Sequence, residues 1–171
     1  MFINGTVLPT LISGFVSVML LVSLGCGGTG SGDAQKFTAQ LSPVTGMLSL
    51  DGKPLAGVMV SYVPDSQAQS EGELATGITD ESGKYTLMTF IPGSGSRSAD
   101  GAVPGAYKVA ITKLVMPDGT PVPAETTDAD AEALGAKQLL PPKYSSFEST
   151  KLTAVVKGEP NTIDFELKSK P

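Results

Sequence analysis

Histidine and tryptophan are absent from this chain, and cysteine occurs once in 171 residues. Without histidine, the commonest general base and the commonest metal ligand disappear together. A single cysteine can close neither an internal disulfide nor a cysteine-based zinc cluster. Serine chemistry fares no better, since the chain has no G-x-S-x-G elbow, no serine three residues before a lysine, and no histidine for a triad. Basic residues are outnumbered 12 to 17 and scattered, giving a net charge of −5, which argues against a nucleic-acid partner. Aromatics are few at 6%, while 20 glycines and 13 prolines disfavour long helices and favour short strands joined by turns. What remains is 40% apolar, enough for one core in one domain once a removable leader is set aside.

That leader is the first positive signal. Residues 7–22 (VLPTLISGFVSVMLLV) are mostly apolar. Their length suits a signal-peptide core and falls short of the roughly 20 clean apolar residues of a spanning helix. The run ends at Ser23-Leu24-Gly25-Cys26-Gly27-Gly28, which resembles the lipobox of bacterial lipoproteins. The resemblance implies that residues 1–25 are a lipoprotein signal peptide, expected as an N-terminal signal helix, and that Cys26 is the lipidation site. The alternative is an ordinary secretory signal with an incidental cysteine. Residues 27–33 (GGTGSGD) have the composition of a flexible linker, so a tether is expected over 26–42.

Beyond the tether, short strand patterns alternate with turns. Residues 44–50 (VTGMLSL) place Val44, Leu48 and Leu50 at period two, and Asp51-Gly52-Lys53-Pro54 supplies a tight hairpin turn into a second strand over 55–63. Residues 74–79 and 84–90 read as strands three and four around the turn Asp80-Glu81-Ser82-Gly83. In the fourth, Tyr85 and Leu87 alternate with Thr86 and Met88, so both faces are partly apolar. Residues 105–113 alternate most cleanly, with Tyr107, Val109 and Ile111 inward. Residues 114–149 break the pattern, with an acidic stretch at 128–138 suited to a turn or two of helix, before two closing strands over 150–157 and 162–168.

Three segments carry a family pattern: Val44-Thr45-Gly46, then Asp51-Gly52-Lys53-Pro54-Leu55-Ala56-Gly57-Val58, then Thr76 to Tyr85 (TGITDESGKY). With Pro104-Gly105-Ala106-Tyr107-Lys108-Val109 they resemble the carboxypeptidase regulatory-like, or transthyretin-like, domain, over residues 43–171. Leu140-Pro141-Pro142-Lys143-Tyr144 and the final strands resemble the ending of short bacterial lipoproteins with this domain. The expected fold is all-β, a seven-stranded antiparallel Greek-key β-sandwich. The resemblance is to the sandwich appended to some carboxypeptidases and not to their catalytic unit, so it implies no peptidase activity. A motif of turn glycines and core positions specifies architecture, and function does not follow from it.

Candidate chemistry is sparse. Asp128, Asp130 and Glu132 alternate as calcium ligands can, but without the glycine and terminal glutamate of an EF-hand loop; a solvated acidic loop is the plainer reading. Asp51, Asp80 and Glu81 could meet at one end of the sandwich, or simply serve as turn residues. Gly93-Ser94-Gly95 lacks the lysine and second glycine of a phosphate loop. Tyr62, Tyr85, Tyr107 and Tyr144 could stack sugars, although Tyr85 and Tyr107 sit at inward positions. No catalytic, metal or cofactor site is therefore expected. The expectation is a non-catalytic cell-envelope lipoprotein, a structural or interaction module held on the membrane through Cys26, facing the periplasm or exterior, with an envelope protein or glycan as partner. Glycan or peptide binding through an exposed sheet face or through loops 67–73, 92–104 and 114–139 is the alternative. An acidic-residue hydrolase is the third reading.

Overall fold

The computed structural model describes residues 30–70, 72–123 and 125–169. The leader and Cys26 lie outside the described residues. Among the described residues, no helix is long and apolar enough to cross a membrane. Part of the segment expected as a tether is instead helix α1 (Gly30–Thr38). Past the glycines, Ala34, Gln35 and Lys36 are good helix formers. Ala34 is buried, and the Thr38 hydroxyl bonds back to its carbonyl at 3.1 Å.

Strand β1 (Val44–Leu50) turns through Asp51 and Gly52, both at positive φ (52° and 79°), into β2 (Lys53–Pro54). This is the tight two-residue hairpin that the Asp-Gly pair favours. The second strand expected over 55–63 is cut short. The chain leaves the sheet at Gly57 (φ 64°) and resumes as β3 (Met59–Pro64). The buried Thr79 hydroxyl secures that exit, accepting from the Val58 amide at 3.0 Å and donating to the Leu55 carbonyl at 2.7 Å. Then come β4 (Ala75–Ile78), β5 (Lys84–Thr86) and β6 (Met88–Phe90). The strand expected over 84–90 is thus divided at Leu87, whose amide bonds Val44 while its carbonyl accepts from Gly101, because the chain crosses there from one sheet to the other.

The expected loop over 92–104 contains β7 (Ser98–Asp100), and β8 (Gly105–Thr112) follows nearly as read from the alternation. The 114–149 insertion folds into β9 (Leu114–Val115), α2 (Asp128–Ala133), β10 (Lys137–Gln138) and α3 (Pro142–Ser145). The chain closes with β11 (Thr153–Val156), β12 (Asn161–Thr162) and β13 (Phe165–Leu167).

Among the described residues the strands form a six-stranded sheet in the order β11-β8-β3-β4-β6-β7 and a five-stranded one around β1, and β9 pairs β10 separately. The expectation of a wholly antiparallel arrangement is corrected at β1, which runs parallel to β12 and β13. A seven-strand count is likewise too low, since the expected strands over 84–90 and 162–168 are each divided in two and β2, β7, β9 and β10 form outside the expected strands. The two large sheets share one core. Val44, Leu48, Tyr85, Phe165 and Leu167 from one meet Val60, Tyr62, Tyr107, Val109 and Ile111 from the other.

The last expected strand, 162–168, is interrupted at Ile163 and Asp164. The Met47 amide bonds the Asp164 carboxylate at 2.8 Å in place of a ladder carbonyl, and the Ile163 carbonyl accepts from the Tyr85 hydroxyl. Gly46 makes this possible, since a Cβ there would collide with that carbonyl.

Candidate functional site

Three of the four tyrosines are structural. Tyr62, Tyr85 and Tyr107 are buried at the centre of the core, so they offer no stacking surface. Tyr85 donates to the Ile163 carbonyl, which leaves its oxygen to accept from Tyr62 at 3.0 Å. Tyr107 donates to the Val103 carbonyl at 2.7 Å. Burial raises the pKa of Tyr85 and of Tyr107 to about 12, and pushes Tyr62 up further still. Tyr144, only half-buried, caps the end of β13, exchanging hydrogen bonds with the main chain of Lys168.

The acidic candidates are largely committed to turns. One oxygen of Asp80 accepts from the Ser82 amide and hydroxyl and from the Lys84 amide, at 2.7 to 2.9 Å. These bonds, the Ser82 contact foremost, hold its carboxyl below the ordinary range. Asp51 is lowered in the same way by Ser169. The acidic stretch forms helix α2, in which Thr127 caps the Asp130 amide and its hydroxyl bonds the Asp130 carboxylate at 2.7 Å. Among the described residues, no three His, Cys, Asp or Glu side chains are grouped to hold a metal ion. In the Gly93-Ser94-Gly95 turn the serine hydroxyl bonds the Ile91 carbonyl at 2.7 Å.

The surface feature with binding character lies elsewhere, on the outward face of the six-stranded sheet. Alternation that turns Val60, Tyr62, Ala75 and Thr89 inward turns Met59, Ile78, Met88 and Phe90 outward. These four are 41 to 65% exposed. Met59 sits directly opposite Ile78, and Met88 directly opposite Asp100. Met59, Ile78 and Met88 line a groove of about 540 Å³ whose charged rim is Asp80, Lys84 and Asp100. A second groove of about 620 Å³ shares Met59 and Ile78 and is walled by Pro121, Val122 and Pro123 of the insertion. The two grooves adjoin at Met59 and Ile78 as an open track, and each falls in the size range that ligand sites occupy.

Two partly apolar faces over 84–90 match an interior strand of a sandwich, a reading that does not single out this face. The alternation shows two apolar faces but not which is covered. Of the loops expected to make contacts, 114–139 supplies a groove wall and 92–104 supplies Asp100. Two carboxylates therefore border one groove. Acid catalysis on glycosides needs one carboxyl with a raised pKa, and Asp80 is shifted the other way. Asp80 thus suits holding a cationic group better than delivering a proton.

No protein-family model matches the chain, and no curated protein matches it. Among solved structures, a 9R-lipoxygenase from Cyanothece PCC8801 is similar over 75% of this chain and 17% of its own, at 14% identity and a TM-score of 0.33. A likeness at that level carries no argument about fold or activity.

Proposed function

We propose that this chain is an exported, lipid-anchored interaction module without catalytic activity: a transthyretin-like Greek-key sandwich held on a bacterial membrane through Cys26 and facing the periplasm or exterior. The observation that carries the reading is the outward sheet face. Three large apolar side chains, Met59, Ile78 and Met88, stand together in a groove on this face, while Asp80 and the three buried tyrosines are engaged in a turn and in the core. Large exposed apolar patches rimmed by polar residues mark interaction sites. Two sheets sharing one core, the Asp51-Gly52 hairpin and the alternation of β8 support the finer fold reading.

The anchor is tested by metabolic labelling with a fatty-acid analogue in the producing bacterium. The wild-type chain takes up label and sediments with membranes, and Cys26→Ser does neither. Equal labelling of both removes the anchor from the proposal.

A further inference from the structure

The six-stranded sheet ends in an edge whose pairing is half made. The Ile91 amide bonds the Arg97 carbonyl at 2.9 Å, and the Gly101 amide bonds the Leu87 carbonyl at 2.7 Å. Between these, hydrogen-bonded pairs alternate along an antiparallel ladder. With Thr89 opposite Ala99, it is therefore Ala99 that bonds β6, while the amides and carbonyls of Ser98 and Asp100 point away from it. Next along the same edge, Ala102 is paired on both its main-chain groups by Ser42, at 2.9 and 3.0 Å. The chain then turns inward at Pro43, and the Val44 carbonyl goes to Leu87. A partner strand thus begins at Ser42 and is not continued. Among the described residues nothing bonds the outward main-chain groups of Ser98 and Asp100, and both residues are exposed.

The side chains beside this edge state what would fit. Phe90 is directly opposite the small Ser98, so a large apolar side chain laid next to Ser98 passes over it onto the 56%-exposed Phe90 ring. Two residues away on the same face, Asp100 adjoins Met88 and the groove, and favours a cation opposite it. A second copy of this chain brings a net charge of −5 toward that carboxylate and is disfavoured on charge. We propose that β7 takes up an extended peptide segment as an added strand in line with Ser42, with an aromatic or large aliphatic residue over Ser98 and Phe90 and a lysine or arginine against Asp100. This specifies the partner class of the interaction module proposed above and rests on that reading.

The test uses the full chain in mild detergent, which keeps it in solution with or without a lipid, and three fluorescent peptides, read by anisotropy. The first is Thr-Lys-Thr-Phe-Thr-Lys-Thr, the second replaces both lysines by glutamate, and the third N-methylates alternate amides of the first to remove ladder donors. The first is expected to bind about tenfold more tightly than either of the others. Asp100→Lys should reverse the preference between the lysine and glutamate peptides. Ser98→Pro, which deletes an outward donor and leaves the β6 ladder intact, should abolish binding with the circular dichroism unchanged. Equal binding of the N-methylated peptide, or absence of saturable binding, overturns the proposal. So does a protein that sediments as a dimer dispersed by Ser98→Pro, since the edge would then serve a second copy. Failure here leaves the Cys26 labelling result standing, and failure of that labelling leaves the peptide comparison intact.

Discussion

The two faces of the six-stranded sheet are built from the same strands and both carry large apolar side chains, yet only one is core. Inward, Val60, Tyr62, Ala75, Val109 and Ile111 are sealed by the five-stranded sheet. Outward, Met59, Ile78, Met88 and Phe90 meet solvent. The outward face mixes these with Ser98, Asp100 and Lys108, and the two faces also handle polar groups differently. The hydroxyls within the shared core have partners, Tyr62 with Tyr85, Tyr85 with Ile163, Tyr107 with Val103 and Thr89 with the Gly101 carbonyl at 2.7 Å; the buried Ser70 hydroxyl beside Gly105 is the exception. Burying an oxygen without a partner costs far more than leaving a methionine wet. The rim acids on the open side need no partner because water supplies one.

Mutations on the two faces should therefore differ sharply. Tyr62→Ala removes a fully buried ring packed edge-on against Phe165 and is expected to cost about 3–5 kcal/mol. It should appear as a lower urea midpoint with an unchanged m-value. Gly46→Ala drives a methyl group into the Ile163 carbonyl and should cost about 3 kcal/mol by the same measurement. Tyr85→Phe keeps the ring but leaves the Ile163 carbonyl and the Tyr62 hydroxyl unpaired, for a loss of about 1–3 kcal/mol. A loss as large as that of Tyr62→Ala would mean that the hydroxyl matters more than the packing.

Alkali should distinguish the faces without mutation. Burial raises the Tyr85 and Tyr107 pKa values from 10 to about 12, so the folded state retains protons that the unfolded state has lost. Their contribution is complete below the unfolded value and is lost as pH rises toward 12. Urea midpoints taken across that window should fall, and tyrosinate absorbance should rise together with unfolding rather than ahead of it. The smallest effect belongs to the open face. Ile78→Thr should change stability by less than about 0.5 kcal/mol, because the side chain is already largely in water. A cost above about 2 kcal/mol would show that this face is covered.

Much of the fold is legible in local chemistry. Asp51-Gly52 announces a turn with two positive φ angles, and the alternation Tyr107-Val109-Ile111 identifies β8 and its inward face. The assignment of Tyr85 and Tyr107 to the core follows from the same period. Less was legible where one continuous pattern serves two sheets. Residues 84–90 alternate without a break, yet Leu87 divides them between sheets, and residues 162–168 alternate through a gap in the ladder at Ile163 and Asp164, where Gly46 admits the Ile163 carbonyl. The open track was hidden because the sequence shows Met59, Ile78 and Met88 as apolar without showing that nothing packs over them.

By itself, then, the sequence determined the all-β class, the turns, the inward period of the best strands and the absence of histidine chemistry. These depend on φ preferences, on spacing along one strand and on residue inventory. Tertiary structure alone decided that β1 runs parallel to the C-terminal strands, which of two apolar faces stays open, and that the edge pairing begun at Ser42 stops before Asp100 and Ser98. Each of those depends on which segment lies beside or above another. That choice is made by contacts between residues far apart in the chain, and no local pattern records it.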